Sequence, residues 1–364
     1  MVCMKNDMPQ LPPEMMLMQL ASGYWGSAAL GAAVQCGLFD ALAPGNKHRS
    51  AAEIAATKGL DVRLTAALAD AMTGLGLLSK TQAGYAIAPA FVELLVPGGA
   101  RDMLPALRFN LDLYPLWGRL SEAVKSGKPV VPPGAHLGDD AERTKRFVEG
   151  MHSRALALGP MILAGVDVSD RQRLLDVGAG PGTFGRQLAA KHEGLHVTLL
   201  DLPGVIAVAK RLSAGHVAEE RIDYVEADYR GENWGLPRSE DRDQRSRLCE
   251  GDDQRSRLCG FDAVLYCGAL HQESDASAGA LMQKLHGVLE RGGKLFVVDL
   301  MFEDDGVKPA FAGLFALNMM LFNPRARVFA AGEVERLLRD AGFTDVKTVR
   351  VPGMGYATVT GIKS

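Results

Sequence analysis

The residues most able to do chemistry surround a glycine-rich turn in the middle of the chain. The segment Leu174 to Gly185 reads Leu-Leu-Asp-Val-Gly-Ala-Gly-Pro-Gly-Thr-Phe-Gly, so an apolar run ends in an acid and passes through Gly178, Gly180 and Gly182 into a helical pattern. Glycine permits positive φ and a close approach of a ligand, and a helix N-terminus offers unpaired N–H groups. The sequence therefore predicts a strand, a ligand-binding turn and a helix.

The same stretch fits two classes of ligand. Gly180, Gly182 and Gly185 have the spacing of the dinucleotide fingerprint, and Asp201 follows at a distance suited to a ribose contact. Asp176 indicates a different ligand, because a carboxylate beside this turn repels a pyrophosphate and attracts an ammonium or sulfonium group. We therefore favour a cationic cofactor over NAD.

A histidine follows the next part of the predicted sheet. The run Phe261-Asp-Ala-Val-Leu-Tyr-Cys-Gly-Ala-Leu-His271 predicts a strand and then a turn that brings His271 to the carboxyl end of that strand, where ligands bind in open α/β sheets. Imidazole has an ordinary pKa of about 6.5 and can take a proton from a hydroxyl group near neutral pH. A lone histidine is more often structural, but this position favours a general base.

The pattern Asp176-x-Gly178-x-Gly180-x-Gly182 resembles the first motif of the class I methyltransferases. The likeness extends to the plant-type and bacterial small-molecule O-methyltransferases, the family that includes the acetylserotonin and caffeate enzymes. It implies that S-adenosylmethionine is the cofactor and that the strand-end acids bind its ribose and its adenine amino group, rather than being three ordinary strand ends. The implied cofactor-binding residues are Asp176, Gly178, Gly180, Gly182, Asp201, Leu202, Asp228 and Tyr229.

The resemblance also assigns the base and exposes two departures from the family pattern. A Leu-His at the position of His271 carries the base in that family, and Asp299 matches the first of the two acids that hold it. Val328 falls where the second acid aligns. The family continues His-Asp-Trp-x-Asp, whereas this chain reads His-Gln-Glu-Ser-Asp. The resemblance implies no metal in this chemistry.

The family lines its acceptor pocket with the helical linker and with the stretch from Pro309 to Phe322. The implied reaction is methylation of a hydroxyl group on a small aromatic acceptor of secondary-metabolite type. Methylation at carbon on the same scaffold and a ligand-sensing winged-helix regulator without transfer activity are the alternatives. Core packing or turn capping is the alternative role for the predicted substrate-binding residues, which are Met151, Phe315, Asn318, Met319 and Asn323.

The N-terminal part predicts a winged helix. A capping box at Ser50 and a second helical pattern from Asp61 precede a hairpin signal around Gln82-Ala-Gly84. The second helix carries Arg63 as its only base, which argues against DNA recognition. The resembling family uses such a domain for dimerisation, and the Met-rich segment from Glu14 to Cys36 fits either a homodimer seam or core packing.

We therefore predict an α/β fold in which a mainly helical winged-helix-like domain precedes a Rossmann-like class I methyltransferase sheet. That sheet is mostly parallel and has an antiparallel closing strand. The predicted boundaries are a dimerisation domain at 1–100, a helical linker and substrate lid at 101–160, and a cofactor domain at 161–364 with an inserted loop at 235–260.

Composition limits the remaining classes. The 364 residues carry a net charge of −3, which argues against a nucleic-acid partner. The five cysteines form no C-x-x-C pair, and neither a signal peptide nor an 18-residue apolar run occurs, so we expect a cytoplasmic protein without a membrane span or a metal site. A tandem ten-residue duplication at 240–259 predicts a dispensable solvated loop.

Overall fold

A computed structural model of the chain describes residues 12–131, 141–231, 234 and 260–364. The chain divides into two compact units, Met1–Leu111 and Asp112–Ser364. The duplicated segment at 240–259, and with it nearly all of the predicted inserted loop, lies outside the described residues. None of the helices within the described ranges is long and apolar enough to cross a membrane.

The first unit is mainly helical with one hairpin. Its helices and strands are α1 (Pro13–Ser22), α2 (Tyr24–Gln35), α3 (Leu38–Leu42), α4 (Ala51–Lys58), α5 (Val62–Gly74), β1 (Leu78–Thr81), β2 (Gly84–Ile87) and α6 (Val92–Leu95), and α7 (Leu104–Trp117) crosses the boundary between the units. The order of two helices and a hairpin confirms the predicted winged-helix-like domain. The Met-rich segment from Glu14 to Cys36 forms two helices that meet at Gly23.

Two capped helices set the winged-helix framework. The Ser50 hydroxyl accepts a hydrogen bond from the Glu53 N–H at 3.3 Å, and the Glu53 carboxylate accepts one from the Ser50 N–H at 2.7 Å. Asp61 caps α5 by accepting from the Leu64 N–H at 2.8 Å. Each cap satisfies helix-end N–H groups and contributes about 1 kcal/mol. The sequence signals at both helix starts are therefore confirmed.

The charges on and around α5 are typical of a structural helix and not of a DNA-recognition helix. Arg63 is the base on this helix. The acid Asp70 lies 2.6 Å from the Lys80 ammonium on β1 and accepts a hydrogen bond from the Tyr85 hydroxyl at 2.8 Å. The cation of the hairpin is thus paired with an acid of the same unit, which leaves little positive charge for phosphates.

The second unit is an α/β sandwich. Its elements are α8 (Leu120–Ser126), α9 (Ala141–Ile162), β3 (Arg173–Val177), α10 (Thr183–Lys191), β4 (His196–Asp201), α11 (Pro203–Ser213), β5 (Ile222–Glu226), β6 (Phe261–Cys267), α12 (Asp275–Val288), β7 (Leu289–Leu300), α13 (Ala310–Met320), α14 (Ala331–Asp340), β8 (Phe343–Arg350) and β9 (Tyr356–Lys363). Within the predicted helical linker, α7 ends at Trp117 and α8 begins at Leu120.

The seven strands of the described second unit form one sheet in the order β5-β4-β3-β6-β7-β9-β8. Strands β3 to β7 are parallel, and β9 pairs antiparallel with both β7 and β8. Connections proceed in one direction from β3 to β5 and in the other from β6 to β7, so the carboxyl ends of β3 and β6 flank a topological switch point where ligands bind. The fold class predicted from the sequence is confirmed.

The helix after the glycine turn packs closely on the sheet because Gly185 has no side chain. A Cβ atom there would lie 2.9 Å from methyl carbons of Leu199 and Val197. Such distances force the neighbouring core to move. Gly279 in α12 is a matched helical position, since a Cβ there meets only a Leu337 methyl carbon at 3.9 Å.

We expect Gly185→Ala to lower the free energy of unfolding by about 1–3 kcal/mol through overpacking. Gly279→Ala should raise it by up to about 1 kcal/mol, because alanine is the better helix former. Urea denaturation followed by circular dichroism measures both. Equal effects of the two substitutions would show that α10 is not packed as described.

Candidate active site

The glycine turn and the acid of the neighbouring strand form one hydrogen-bonded unit. Gly178, Gly180 and Gly182 have φ of 65°, 55° and 70°, values that favour glycine. The Gly180 N–H donates to one oxygen of Asp201 at 2.8 Å, and the Leu202 N–H donates to the other at 2.7 Å. Burial raises the pKa of the Asp201 carboxyl, and these two N–H groups oppose that effect. Each Asp201 oxygen keeps lone pairs for further donors.

Asp176 lies beneath the turn in a different environment. Its side chain is only 2% exposed, and Oδ2 has no hydrogen-bond partner within the described part of the chain. Burial raises the pKa of the Asp176 carboxyl to about 7. A buried carboxyl with an unpartnered oxygen is destabilising for the folded chain unless a cation or a donor reaches it. This environment fits the cationic ligand that the sequence predicts.

The predicted adenine side is a second cluster, which follows β5. Tyr229 is buried, and a Cβ on Gly178 would lie 3.2 Å from its ring, so glycine makes room for the aromatic side chain there. Burial raises the pKa of Tyr229 to about 12, which keeps the phenol protonated. The carboxylate of Asp228 accepts from the Arg230 N–H at 2.9 Å. The turn, Asp201 and Tyr229 thus lie at the same edge of the sheet.

His271 and Asp299 are brought together as predicted. His271 lies in a turn after β6, and Asp299 lies near the carboxyl end of β7. Nδ1 of His271 is 2.9 Å from one Asp299 oxygen, and the His271 main-chain N–H donates to the other at 3.1 Å. The Leu300 N–H also donates to Asp299, at 2.7 Å. Both side chains are buried.

This geometry determines which imidazole nitrogen can act as a base. An ionised carboxylate only accepts hydrogen bonds, so Nδ1 of His271 carries the proton that faces Asp299. Nε2 is then an acceptor. The Phe315 ring packs edge-on against the imidazole, with centroids 4.8 Å apart. The pair can therefore hold a neutral imidazole in one orientation and take a proton at Nε2.

The segment where the second acid was expected is tied to His271 through the backbone instead. Val328 is buried and apolar. Its neighbour Arg327 donates its main-chain N–H to the His271 carbonyl at 3.1 Å, and the Asn323 side chain donates to the Gln272 carbonyl at 3.1 Å. The turn that carries His271 is therefore fixed without a second acid at position 328.

The predicted acceptor residues occupy two helices and a turn. Phe315, Asn318 and Met319 share one face of α13, and Phe315 reaches His271. Asn318 accepts a hydrogen bond from the Trp117 indole at 3.0 Å. Met151 is partly buried on α9.

Asn323 has both ends of its amide engaged in local structure. Its nitrogen donates to the Gln272 carbonyl at 3.1 Å, and its oxygen accepts from the Arg325 N–H at 3.0 Å. These are the contacts of a turn-closing residue, which was the alternative to substrate binding. Its direct contact with an acceptor stays a prediction.

Sequence reasoning missed an ion pair between the buried Glu273 carboxylate and the exposed Arg230 guanidinium, which joins the two halves of the site. Glu273, 4% exposed, accepts from the Arg230 guanidinium at 2.8 Å and from the Tyr229 hydroxyl at 3.4 Å. The only sequence signal was that Glu273 stands where the family has tryptophan. Its partner is 43 residues away in the chain, so no local pattern reveals the pair.

A second histidine near the site serves packing. His152 lines a cavity of about 250 Å³ beside α10 that includes none of the predicted site residues. Nδ1 of His152 shares a hydrogen bond with the Thr183 hydroxyl at 2.7 Å. Burial lowers the pKa of His152 to about 4, so its imidazole is neutral near neutral pH. His152 therefore has its own hydrogen-bond partner and is not part of the His271–Asp299 pair.

Two family profiles match the chain. The O-methyltransferase dimerisation domain matches residues 18–95, and the O-methyltransferase domain matches residues 117–241 and 236–344. The 3-hydroxy-5-methyl-1-naphthoate 3-O-methyltransferase of Streptomyces sahachiroi is 31% identical over 96% of this chain and 95% of its own length. The acetylserotonin O-methyltransferase of Mus musculus is 28% identical over 94% of this chain and 86% of its own length.

A solved structure has the same fold over the full length. The crystal structure of human N-acetylserotonin methyltransferase in complex with SAM superimposes with a TM-score of 0.82 at 22% identity, and the match covers 100% of both chains.

We expect Asp176→Asn to change how stability depends on pH. The pKa of about 7 in the folded chain exceeds the unfolded value of about 3.9, so the stability from this carboxyl is present below about pH 4 and lost as pH rises through 7. Asparagine does not titrate. The free energy of unfolding of the variant, relative to the unmodified protein, should therefore rise by about 2–4 kcal/mol from pH 4 to 8. Urea denaturation without cofactor measures it, and a difference that is constant with pH would contradict the prediction.

Proposed function

The chain belongs to the O-methyltransferase family, and we propose that it transfers a methyl group from S-adenosylmethionine to a hydroxyl group of a small aromatic acceptor, with His271 as the general base. The observation that carries the proposal is the buried pair of His271 and Asp299 at the same sheet edge as the glycine turn. The aromatic acceptor class rests on relatives that methylate naphthoate and acetylserotonin.

The residues at the turn fit the cofactor. Oδ2 of Asp176 is buried without a partner, and the space around Gly180 is open, since a Cβ there would meet nothing within 4 Å. Asp201 would hold the ribose hydroxyls, and Asp228 with Tyr229 would hold the adenine. When bound, S-adenosylmethionine supplies an electrophilic methyl group on a positively charged sulfur. The acids of the turn favour that charge electrostatically.

The protein's own contribution to transfer is alignment and proton removal. Asp299 holds the imidazole so that Nε2 of His271 can accept the proton of the acceptor hydroxyl, whose oxygen would take the methyl group as the carbon–sulfur bond breaks and adenosylhomocysteine leaves. The carboxylate also stabilises the imidazolium that forms. The ring of Phe315 packs edge-on against the imidazole of His271 and limits its rotation. Bound acceptor would lie against Phe315 and the neighbouring face of α13 that includes Met319.

We expect His271→Ala to lower kcat by about 10²–10⁴-fold, the usual contribution of a positioned base. The affinity for adenosylhomocysteine should stay within about threefold, because the cofactor residues lie on other strands. Steady-state kinetics on a hydroxynaphthoate and calorimetric titration measure these quantities.

His196→Ala is the matched control for this experiment. His196 is exposed at the start of β4, at the opposite end of the sheet, so its removal should leave kcat unchanged. A loss of less than tenfold for His271→Ala on a verified acceptor would reject the base role. Methylation at carbon, or proton loss by the acceptor itself, would then explain transfer.

We also propose that the protein is a homodimer that pairs through α1 and α2. No residue of α1 is buried, and the two helices expose a group of large apolar side chains: Met15, Met16, Leu17, Met18, Leu20, Tyr24 and Trp25. An apolar face of this kind marks an association surface. Part of this segment lies within the matched dimerisation domain.

Light scattering should give a dimer at micromolar concentration. Trp25→Glu, which places a charge on an exposed aromatic position of α2, should shift the protein to monomer. Val217→Glu is the control, because Val217 is 81% exposed in the second unit and lies outside the proposed surface. A monomer for the unmodified protein, or a dimer for Trp25→Glu as stable as the unmodified one, would refute this arrangement.

A further inference from the structure

One positive charge at the candidate active site has no partner that the fold supplies. Arg154 lies on α9 and is partly buried, and no hydrogen bond or ion pair forms to it within the described residues. A guanidinium keeps its charge at every physiological pH and presents five N–H donors. A partly buried guanidinium without acceptors loses hydration without compensation. The position therefore favours an anionic ligand.

The neighbours of Arg154 place it on the side of the candidate active site where His271 lies. Its charge opposes the pKa rise that burial causes in Cys267 at the end of β6 and in Tyr356 at the start of β9. Leu158, one helical turn along α9, packs on the cluster that contains Cys267, Tyr356 and Phe315. The Phe315 ring in turn packs on His271.

The acids of the sheet edge do not neutralise Arg154 by direct contact. Oδ2 of Asp176 is without a partner in the described chain, so Arg154 does not bond to it. The oxygens of Asp299 accept from Nδ1 of His271 and from two main-chain N–H groups. Because neither acid engages the guanidinium, its donors are available for a carboxylate that a small molecule brings.

We propose that Arg154 binds the carboxylate of the acceptor, so that the enzyme selects an aromatic hydroxy acid over its neutral analogues. This inference rests on the proposed function and names the acceptor class. Arginine binds a carboxylate through two parallel N–H donors, which fixes orientation as well as charge. The carboxylate would anchor the ring and leave its hydroxyl towards His271. A relative at 31% identity is named for a naphthoate acceptor, which carries the same group.

The test compares a hydroxynaphthoic acid with its methyl ester, which differ in the carboxylate charge. Calorimetric titration in the presence of adenosylhomocysteine measures binding of each without turnover. The unmodified enzyme should bind the acid about 10- to 100-fold more tightly than the ester, the range for charge-assisted hydrogen bonds. Arg154→Met, of similar length and uncharged, should abolish this preference, and Arg154→Lys should keep part of it.

The separate readouts distinguish the possible sources of the carboxylate. If Arg154→Met instead weakens adenosylhomocysteine and leaves the acid-to-ester ratio unchanged, Arg154 holds the carboxylate of the cofactor and the acceptor assignment is overturned. If neither ligand is affected in a variant with an unchanged thermal unfolding midpoint, the carboxylate site is overturned altogether. If the acid binds through Arg154 but no hydroxyarene is methylated, the proposed function fails and the carboxylate site stands.

Discussion

The hydrogen bonds of Asp299 hold the candidate active site together. This buried carboxylate accepts from the main chain of His271, from its imidazole and from the Leu300 N–H. Burial of a charge costs several kcal/mol unless hydrogen bonds replace its hydration, and these donors supply that replacement. Asp299 is itself held by the sheet, where it pairs in register with Ala357 of β9. The antiparallel closing strand therefore supports the position of the histidine.

Three acidic side chains at this edge of the sheet have different hydrogen-bond partners. Asp299 accepts from three donors and Asp201 from two main-chain N–H groups, whereas Asp176 has an oxygen with no partner in the described chain. Main-chain N–H donors oppose the pKa rise that burial causes in Asp201, whereas burial raises the pKa of Asp176, whose Oδ2 has no partner, to about 7. A cationic ligand relieves this unfavourable burial. The fold thus sacrifices stability at the acid that is predicted to face the cofactor, as functional sites commonly do.

The departures from the family pattern are compensated by other contacts. Glu273, which stands where the family has tryptophan, joins the turn after β6 to Arg230, which follows the residues predicted to bind adenine. Arg327 and Asn323 bind the same turn through its carbonyl groups, where a second acid was expected. Loss of Arg230 would leave the buried Glu273 carboxylate without its cationic partner, which is unfavourable. Glu273 therefore links the loop after β5 to the turn that carries His271.

The sequence by itself determined the features that depend on neighbours in the chain. Strand and turn at Asp176, the cap at Ser50 and the hairpin around Gly84 follow from local periodicity, capping and backbone freedom. The location of the site at the carboxyl edge of the sheet also followed from the sequence, because parallel strands bring their carboxyl ends together. His271 and Asp299 could therefore be assigned to one site.

Only the tertiary structure decided which side chains are paired and which are not. The pairing of Glu273 with Arg230 joins residues far apart in the chain, and the isolation of Arg154 depends on what surrounds it in space. Asn323 illustrates the same limit, since its type fits both a substrate contact and a closed turn, and packing gave it the turn contacts. Burial, charge and hydrogen bonding are properties of three-dimensional neighbours. Residue type and spacing specify only which groups are available to meet there.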